Sequence, residues 1–168
     1  MLVTREADYA VRCVVEVART GRTSAAQVAR VQGISPTFLG KIVQSLARAG
    51  ILATRRGVGG GIALAKPVTD ITLLQVIEAV EGPLCINECL QSPARCGHVQ
   101  ECPAFPFLCE AQARLRETLD VSFDRLVAPT GAEPILAPVA FPTEPVNGNG
   151  NGERRRARTA DPAARGGA

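Results

Sequence analysis

Two short helical segments joined by a glycine most constrain how this chain can fold. Ser24 and Ser35 each precede a run of helical periodicity, and a serine hydroxyl at that position caps the free amides of a helix start. Pro36 follows Ser35 directly and suits the first helical turn, where its missing amide is not needed. Gly33 lies between the two runs, where a glycine often ends a helix. The pattern predicts a helix-turn-helix over residues 24–49.

The residues after this helix pair predict a β-hairpin. Residues 51–54 and 62–64 are short β-like runs, and they flank the glycine-rich sequence RRGVGGG. A nucleotide phosphate loop is the competing interpretation of the glycines, but neither a helix nor a Lys-Ser/Thr pair follows them. A helix-turn-helix followed by a hairpin is a winged helix-turn-helix. The predicted fold class is therefore mainly α-helical with a small β-wing.

Further helices are predicted on both sides of this unit. Residues 2–19 carry apolar side chains at helical spacing, and Thr72 begins a second such run that Gly82 ends. A third run, residues 106–127, predicts one long helix with an apolar stripe. The stripe consists of Leu108, Leu115, Leu119 and Leu126. Since little else in so small a chain can cover it, the stripe is expected to pack against a second copy of itself.

These elements divide the chain into four parts. Residues 1–82 form the predicted DNA-binding domain, residues 83–105 a cysteine-rich loop and residues 106–127 a dimerisation helix. Residues 128–168 contain NGNGNG and RRRAR, and such a segment buries too little to offset chain entropy, so a disordered C-terminal tail is predicted. No apolar run approaches the roughly 20 residues of a membrane span. We expect a soluble, cytoplasmic protein with no membrane partner.

Charge is unevenly distributed along the chain. Residues 1–67 hold 10 Lys and Arg against 3 Asp and Glu, whereas residues 68–127 hold 4 against 9. A basic helix-turn-helix unit favours a polyanion partner, and double-stranded DNA is the one whose major groove admits a helix. Charge alone leaves open the alternative of a solvated basic face.

Candidate DNA-binding residues lie on the second helix and on the wing. The helix carries polar side chains on the side predicted to be exposed, where they can contact phosphates or base edges. Two wing arginines can enter a minor groove, and wing glycines let the backbone approach phosphate closely. The candidates are Ser35, Thr37, Lys41, Gln44, Arg55, Arg56, Gly59 and Gly60.

Five of the six cysteines lie within one segment, CINECLQSPARCGHVQECPAFPFLC. In a cytoplasmic protein such a cluster is more typical of metal binding or redox chemistry than of disulfides. Zinc sites prefer closely spaced cysteine pairs at both ends, so this spacing favours an iron–sulfur cluster over zinc. Five thiols without any ligand are the remaining alternative. The sixth cysteine, Cys13, lies in an apolar helix and is predicted to pack in the core.

Taken together, these segments resemble the Rrf2 family of bacterial winged-helix repressors, of the IscR and NsrR type. The resemblance covers residues 1–127 and is carried by MLVTREADYAVR, GISPTFLGKIVQSLARAGIL, TRRGVGGGIALAKP, ITLLQVIEAVEG and the cysteine loop. It implies a homodimer that is crossed through the long C-terminal helices and binds a promoter or operator. It also implies a 2Fe–2S or 4Fe–4S cluster, held here by Cys89, Cys96 and Cys102, whose state alters DNA binding.

The fourth ligand of such a cluster stays open. IscR-type members place a histidine three residues after the third cysteine, where this chain has Phe105. NsrR-type members use an acidic residue near the N-terminus, and Asp8 matches that position. The other candidates are Cys85, Cys109 and His98. Asp8 is favoured over the alternative Cys85, because a carboxylate is a weak ligand for a soft metal and so suits a sensor.

The sequence predicts a sequence-specific DNA-binding transcriptional regulator, and not an enzyme. We expect a repressor whose DNA binding an iron–sulfur cluster modulates. A zinc-stabilised or cluster-free winged-helix regulator is the alternative. A thiol redox enzyme is less consistent with the sequence, since the chain has no Cys-x-x-Cys pair.

Overall fold

Helix α1 (Arg5–Thr20) begins the part of the chain that the computed structural model describes, residues 4–57 and 59–127. The predicted disordered tail, residues 128–168, lies outside the described residues. The elements that follow α1 are β1 (Arg22–Thr23), α2 (Ala25–Gln32), α3 (Pro36–Arg48), β2 (Leu52–Arg55), β3 (Gly61–Leu64), α4 (Leu73–Glu81), α5 (Glu88–Gln91), α6 (Phe105–Leu119) and α7 (Asp124–Val127). No helix among the described residues is both long and apolar enough to span a bilayer.

The predicted helix-turn-helix is confirmed. The Ser24 hydroxyl accepts a hydrogen bond from the Gln27 amide at 3.1 Å, and the Ser35 hydroxyl accepts one from the Phe38 amide at 3.3 Å. Gly33 has a φ of +64°, the left-handed conformation in which a glycine ends α2 and turns the chain towards α3. Local capping chemistry therefore places both helix starts.

The predicted hairpin is the wing, formed by antiparallel strands β2 and β3. Arg55 lies opposite Gly61 at its tip, and Leu52 lies opposite Leu64 at its base. Strand β1 pairs with the other edge of β3, so the strand order is β1-β3-β2. The sequence did not predict β1, because two residues are too few to show a strand's alternation. The predicted fold class, mainly α-helical with a small β-wing, is confirmed.

A mainly aliphatic core, which also contains the Phe123 ring, joins α1, α3 and α4 to the sheet. Its largest fully buried side chains are Phe123, Leu39, Ile42, Leu46, Ile51 and Ile71. Cys13 also lies there with no exposed surface, as predicted. Burial, with the charge of Glu16 as a smaller cause, raises the pKa of the Cys13 thiol to about 12. This cysteine is a packing residue.

The predicted single helix over residues 106–127 is wrong. Helix α6 ends at Leu119, and the chain then pairs with the start of α4 instead of continuing as a helix. The Leu73 amide donates to the Val121 carbonyl at 3.0 Å, and the Phe123 amide donates to the Ile71 carbonyl at 2.8 Å.

The break follows from burial of the Phe123 ring. This side chain has no exposed surface and belongs to the winged-helix core, and Leu126 packs against the same core. Leu126 therefore does not continue the leucine stripe of α6. Burying a phenylalanine side chain is favourable by roughly 1.5–3 kcal/mol relative to leaving it exposed. Helical periodicity alone carries no information on this long-range contact.

Candidate nucleic-acid interface and cysteine loop

Helix α3 buries one face and exposes another. Its buried side chains are Leu39, Ile42, Val43 and Leu46. Thr37, Lys41 and Gln44 are exposed, and their spacing of four and three residues places them in one stripe. Arg48 is exposed four residues further on and extends this stripe. It is absent from the sequence-based candidates, although the same spacing identifies it.

Ser35 has a capping role in addition to its predicted DNA contact. Its hydroxyl oxygen accepts the Phe38 amide, and the residue is exposed at the N-terminus of α3. The hydroxyl hydrogen is still available for a phosphate or a base edge.

The wing presents two exposed arginines on a backbone that glycines shape. Arg55 ends β2, and Arg56 follows it before the turn. The turn closes when the Gly60 amide donates to the Gly57 carbonyl at 2.9 Å. A Cβ atom on Gly60 would clash with the Arg55 carbonyl oxygen, so only glycine fits there. Gly60 is therefore required for the turn, whether or not it also approaches DNA.

Arg22 of β1 also contacts the wing tip. Its Nη1 donates to the Gly59 carbonyl at 3.2 Å. Gly59 is exposed and has a φ of +73°, the left-handed region that favours glycine. Strand β1 thus supports the wing tip through Arg22, a contact that no local sequence pattern indicates.

An open groove of about 370 Å³ separates α3 from the wing. Gly40 and Val43 line it from α3, and Thr54 and Arg55 line it from β2. Arg55 lines this groove, and the exposed cations of α3 and the wing take part in no ion pair within the described part of the chain; they are Lys41, Arg48, Arg55 and Arg56. Such cations can neutralise phosphates on either side of a duplex groove. The DNA contacts of the individual residues stay predictions.

The cysteine loop connects α4 to α6. Cys85, Cys89, Cys96 and Cys102 are half-buried, Cys109 is exposed on α6, and all five thiols are free. The pKa of the Cys89 thiol lies above its ordinary value because of partial burial and then the charges of other cysteines, Cys96 and Cys102 first among them. Of the predicted ligand set, Cys96 and Cys102 are therefore close enough to Cys89 to affect its thiol electrostatically.

This donor set fits an iron–sulfur cluster in its chemistry, since thiolates are the ligands that such clusters take. No three His, Cys, Asp or Glu side chains within residues 4–57 and 59–127 already form a metal-binding group. The loop therefore has to close further before its cysteines can share one centre.

The candidates for the fourth ligand lie in different surroundings. The Asp8 carboxylate forms an ion pair with Arg12 at 3.0 Å on α1. Cys85 Sγ donates to the Asn87 carbonyl at 3.0 Å, and His98 is exposed. Cys109 follows Leu108 of the leucine stripe, a position that suits core packing, but the structure leaves it exposed. The ligand assignment stays a prediction.

Comparison with known proteins identifies the family. The sequence model of Rrf2, described as an iron-dependent transcriptional regulator, matches residues 3–129. The chain belongs to the Rrf2 family. Its members are transcriptional regulators and not enzymes, as predicted.

Individual proteins are also similar to this chain. Over 128 residues the chain is 35% identical to the protein aau3 of Rhizobium meliloti (strain 1021), which covers 75% of this chain and 79% of that protein. Two solved structures show the same fold. CymR, the global cysteine regulator of Bacillus subtilis, has a TM-score of 0.62 at 23% identity and covers 76% of this chain and 96% of its own. IscR of T. potens has a TM-score of 0.57 at 22% identity and covers 82% and 94%.

Proposed function

We propose that this Rrf2 chain is a cytoplasmic, homodimeric repressor of the IscR and NsrR type that binds a promoter or operator. In this proposal an iron–sulfur cluster on the loop of residues 83–105 sets its DNA affinity. The observation that carries it is the position of the cysteine loop. Cys89, Cys96 and Cys102 all lie on the segment that joins α4 of the winged-helix domain to α6, the helix proposed below to form the dimer contact.

Helix α3 and the wing divide the DNA contacts. The exposed stripe of Thr37, Lys41 and Gln44 enters a major groove, where hydroxyl, ammonium and amide groups meet base edges and phosphates. Arg55 and Arg56 reach the neighbouring minor groove from the wing. The open groove between the two elements leaves room for the intervening phosphate backbone.

Helix α6 supplies the dimer contact. None of its residues is buried within the chain, and the Phe107 ring is 73% exposed. Leu115 and Leu119 are half-buried on the same helix, so an apolar surface remains for a second copy. In the dimer, two copies of α3 must lie about 34 Å apart to contact successive major grooves on one side of the duplex. A small change in the angle of α6 alters that separation and releases DNA.

Cys89, Cys96 and Cys102 would hold the cluster, with Asp8 of the opposite protomer as fourth ligand. When bound, such a cluster supplies an iron atom that oxygen or nitric oxide can attack. Asp8 must leave Arg12 to act as a ligand, and these side chains are 46% and 50% exposed. Exposed ion pairs contribute at most about 1 kcal/mol, so the release costs little.

Helix α1 links Asp8 to α3. Tyr9, the residue after Asp8, packs edge-on against Phe38 of α3 with ring centroids 5.8 Å apart. A displacement of α1 at Asp8 therefore reaches the first turn of α3, next to Thr37.

Anaerobic purification tests the cluster directly. Wild-type protein is expected to be brown and to contain iron and acid-labile sulfide, and Cys89→Ser is expected to lose both. Cys109→Ser removes an exposed thiol from the same region and is the matched control, which should keep the cluster. A colourless wild-type protein that contains zinc would support the zinc-stabilised alternative, and one without any metal would support the cluster-free alternative.

A further inference from the structure

Side chains from two helices hold the first residues of the cysteine loop. The Leu84 amide donates to Oε1 of Glu78 on α4 at 2.9 Å, and the Ile86 amide donates to Oε1 of Gln112 on α6 at 3.0 Å. The Leu84 side chain is 6% exposed, so it anchors the same segment through apolar packing. Cys85, the first cysteine of the loop, lies between the two held amides.

An ion pair joins the two helices at the same place. Arg116 Nη1 lies 2.5 Å from Glu78 Oε1, the oxygen that also accepts the Leu84 amide. Gln112 and Arg116 are four residues apart and so lie on one face of α6. The Arg116 and Glu78 side chains are 40% and 25% exposed, so solvent screens this pair less than a fully exposed one.

We infer that Glu78, Gln112 and Arg116 form a clamp, here called the loop clamp. The loop clamp transmits conformational changes of the cysteine loop to α4 and α6. The inference rests on the proposed function, in which the loop changes shape when a cluster is gained or lost. A loop that is held at its start cannot absorb this change by rotating freely about Gly82, the residue that follows α4.

The displacement instead passes to α6 through Gln112 and to α4 through Glu78. Helix α4 packs on α1 and α3, and α6 carries the proposed dimer surface. Helices α4 and α6, which together set the position of α3 in the proposed dimer, therefore both respond to a change in the loop. The clamp residues are positioning residues, since none of them supplies a ligand.

Amide hydrogen exchange on the full chain tests whether the clamp holds the loop. The double variant Glu78→Ala with Gln112→Ala removes both acceptors, so the Leu84 and Ile86 amides should exchange roughly tenfold faster. Glu78→Gln keeps an acceptor for the Leu84 amide, so exchange there should stay within about threefold of wild type. Glu117→Gln removes an exposed carboxylate beside Arg116 and is the matched control, with exchange unchanged at both amides.

DNA affinity tests whether the loop clamp transmits the conformational change of the cysteine loop. It is measured before and after anaerobic reconstitution with ferrous iron and sulfide. In wild type and Glu117→Gln the two affinities should differ by about tenfold or more, within the usual range of coupling between sites. In the double variant they should agree within about twofold.

Three outcomes would overturn the inference. Unchanged amide exchange in the double variant shows that the side chains do not hold the loop. Faster exchange with an unchanged affinity ratio shows that the clamp holds the loop but transmits nothing. A wild-type ratio of one refutes the proposed function and with it the transmitting role, whereas exchange still decides the holding role. Should the double variant not fold, Gln112→Ala alone is measured at the Ile86 amide.

Discussion

Replacement of Phe123 by alanine should strongly destabilise the winged-helix domain. The ring has no exposed surface and lies in the core, together with side chains of α1 and α3. Truncating a fully buried phenylalanine removes its transfer free energy and leaves a cavity, which together cost about 3–5 kcal/mol. Since a small domain is stable by only about 5–15 kcal/mol, this loss is a large part of the total.

Urea unfolding monitored by circular dichroism measures the effect. Phe123→Leu keeps most of the volume and should lose clearly less than Phe123→Ala. Val31→Ala removes an apolar side chain that is 51% exposed and should change the free energy of unfolding by less than about 0.5 kcal/mol. A loss below about 1 kcal/mol for Phe123→Ala would show that the ring is not in the core. Residues 121–127 would then continue α6, as periodicity alone predicts.

Three further variants test the DNA contact, the dimer and the fourth ligand. Arg56→Ala should weaken DNA binding by about 1–3 kcal/mol in a salt-dependent titration, because it removes a groove contact, whereas neutralising residues 154–156 should matter much less. Leu115→Glu with Leu119→Glu should give a monomer in ultracentrifugation that cannot hold a palindromic site, because it places charge on the apolar surface of α6. Asp8→Ala should keep an anaerobically assembled cluster but change its absorption spectrum and its lability to oxygen or nitric oxide, because it removes the weakest ligand.

Each of these variants has a contradicting result. Wild-type affinity of Arg56→Ala, together with lost binding after neutralisation of residues 154–156, would show that the wing does not contact DNA. A double leucine variant that still sediments as a dimer would exclude α6 as the dimer contact. If Asp8→Ala behaves as wild type and Cys85→Ser cannot retain a cluster, then Cys85 is the fourth ligand.

The helix-turn-helix was predictable from sequence because its signals are local. A serine cap acts within three residues, as at Ser24 and Ser35, and the left-handed conformation of Gly33 needs only the absence of a side chain. The hairpin was predictable for the same reason, since its strands are adjacent in the chain. Strand β1 and the burial of Phe123 depend on partners about 40 and 50 residues away along the chain, which no local pattern encodes.

The candidate site was predictable in its residue types more than in its geometry. The spacing of residues along α3 predicted an exposed polar stripe, and the same spacing places Arg48 on it. Cysteine spacing indicated soft-metal chemistry but not how far the loop must close to form a site. The contacts of Glu78 and Gln112 with the loop join distant segments, so they are visible only in the fold.

A DNA-binding titration before and after cluster loss tests the central claim most directly. The protein is purified without oxygen, its iron and sulfide are measured, and half of the sample is then converted to the cluster-free form. The proposed coupling predicts that the two forms bind a genomic target with affinities at least about tenfold apart, and that this difference disappears in Cys89→Ser. Equal affinities of the two wild-type forms would contradict control of DNA binding by the cysteine loop.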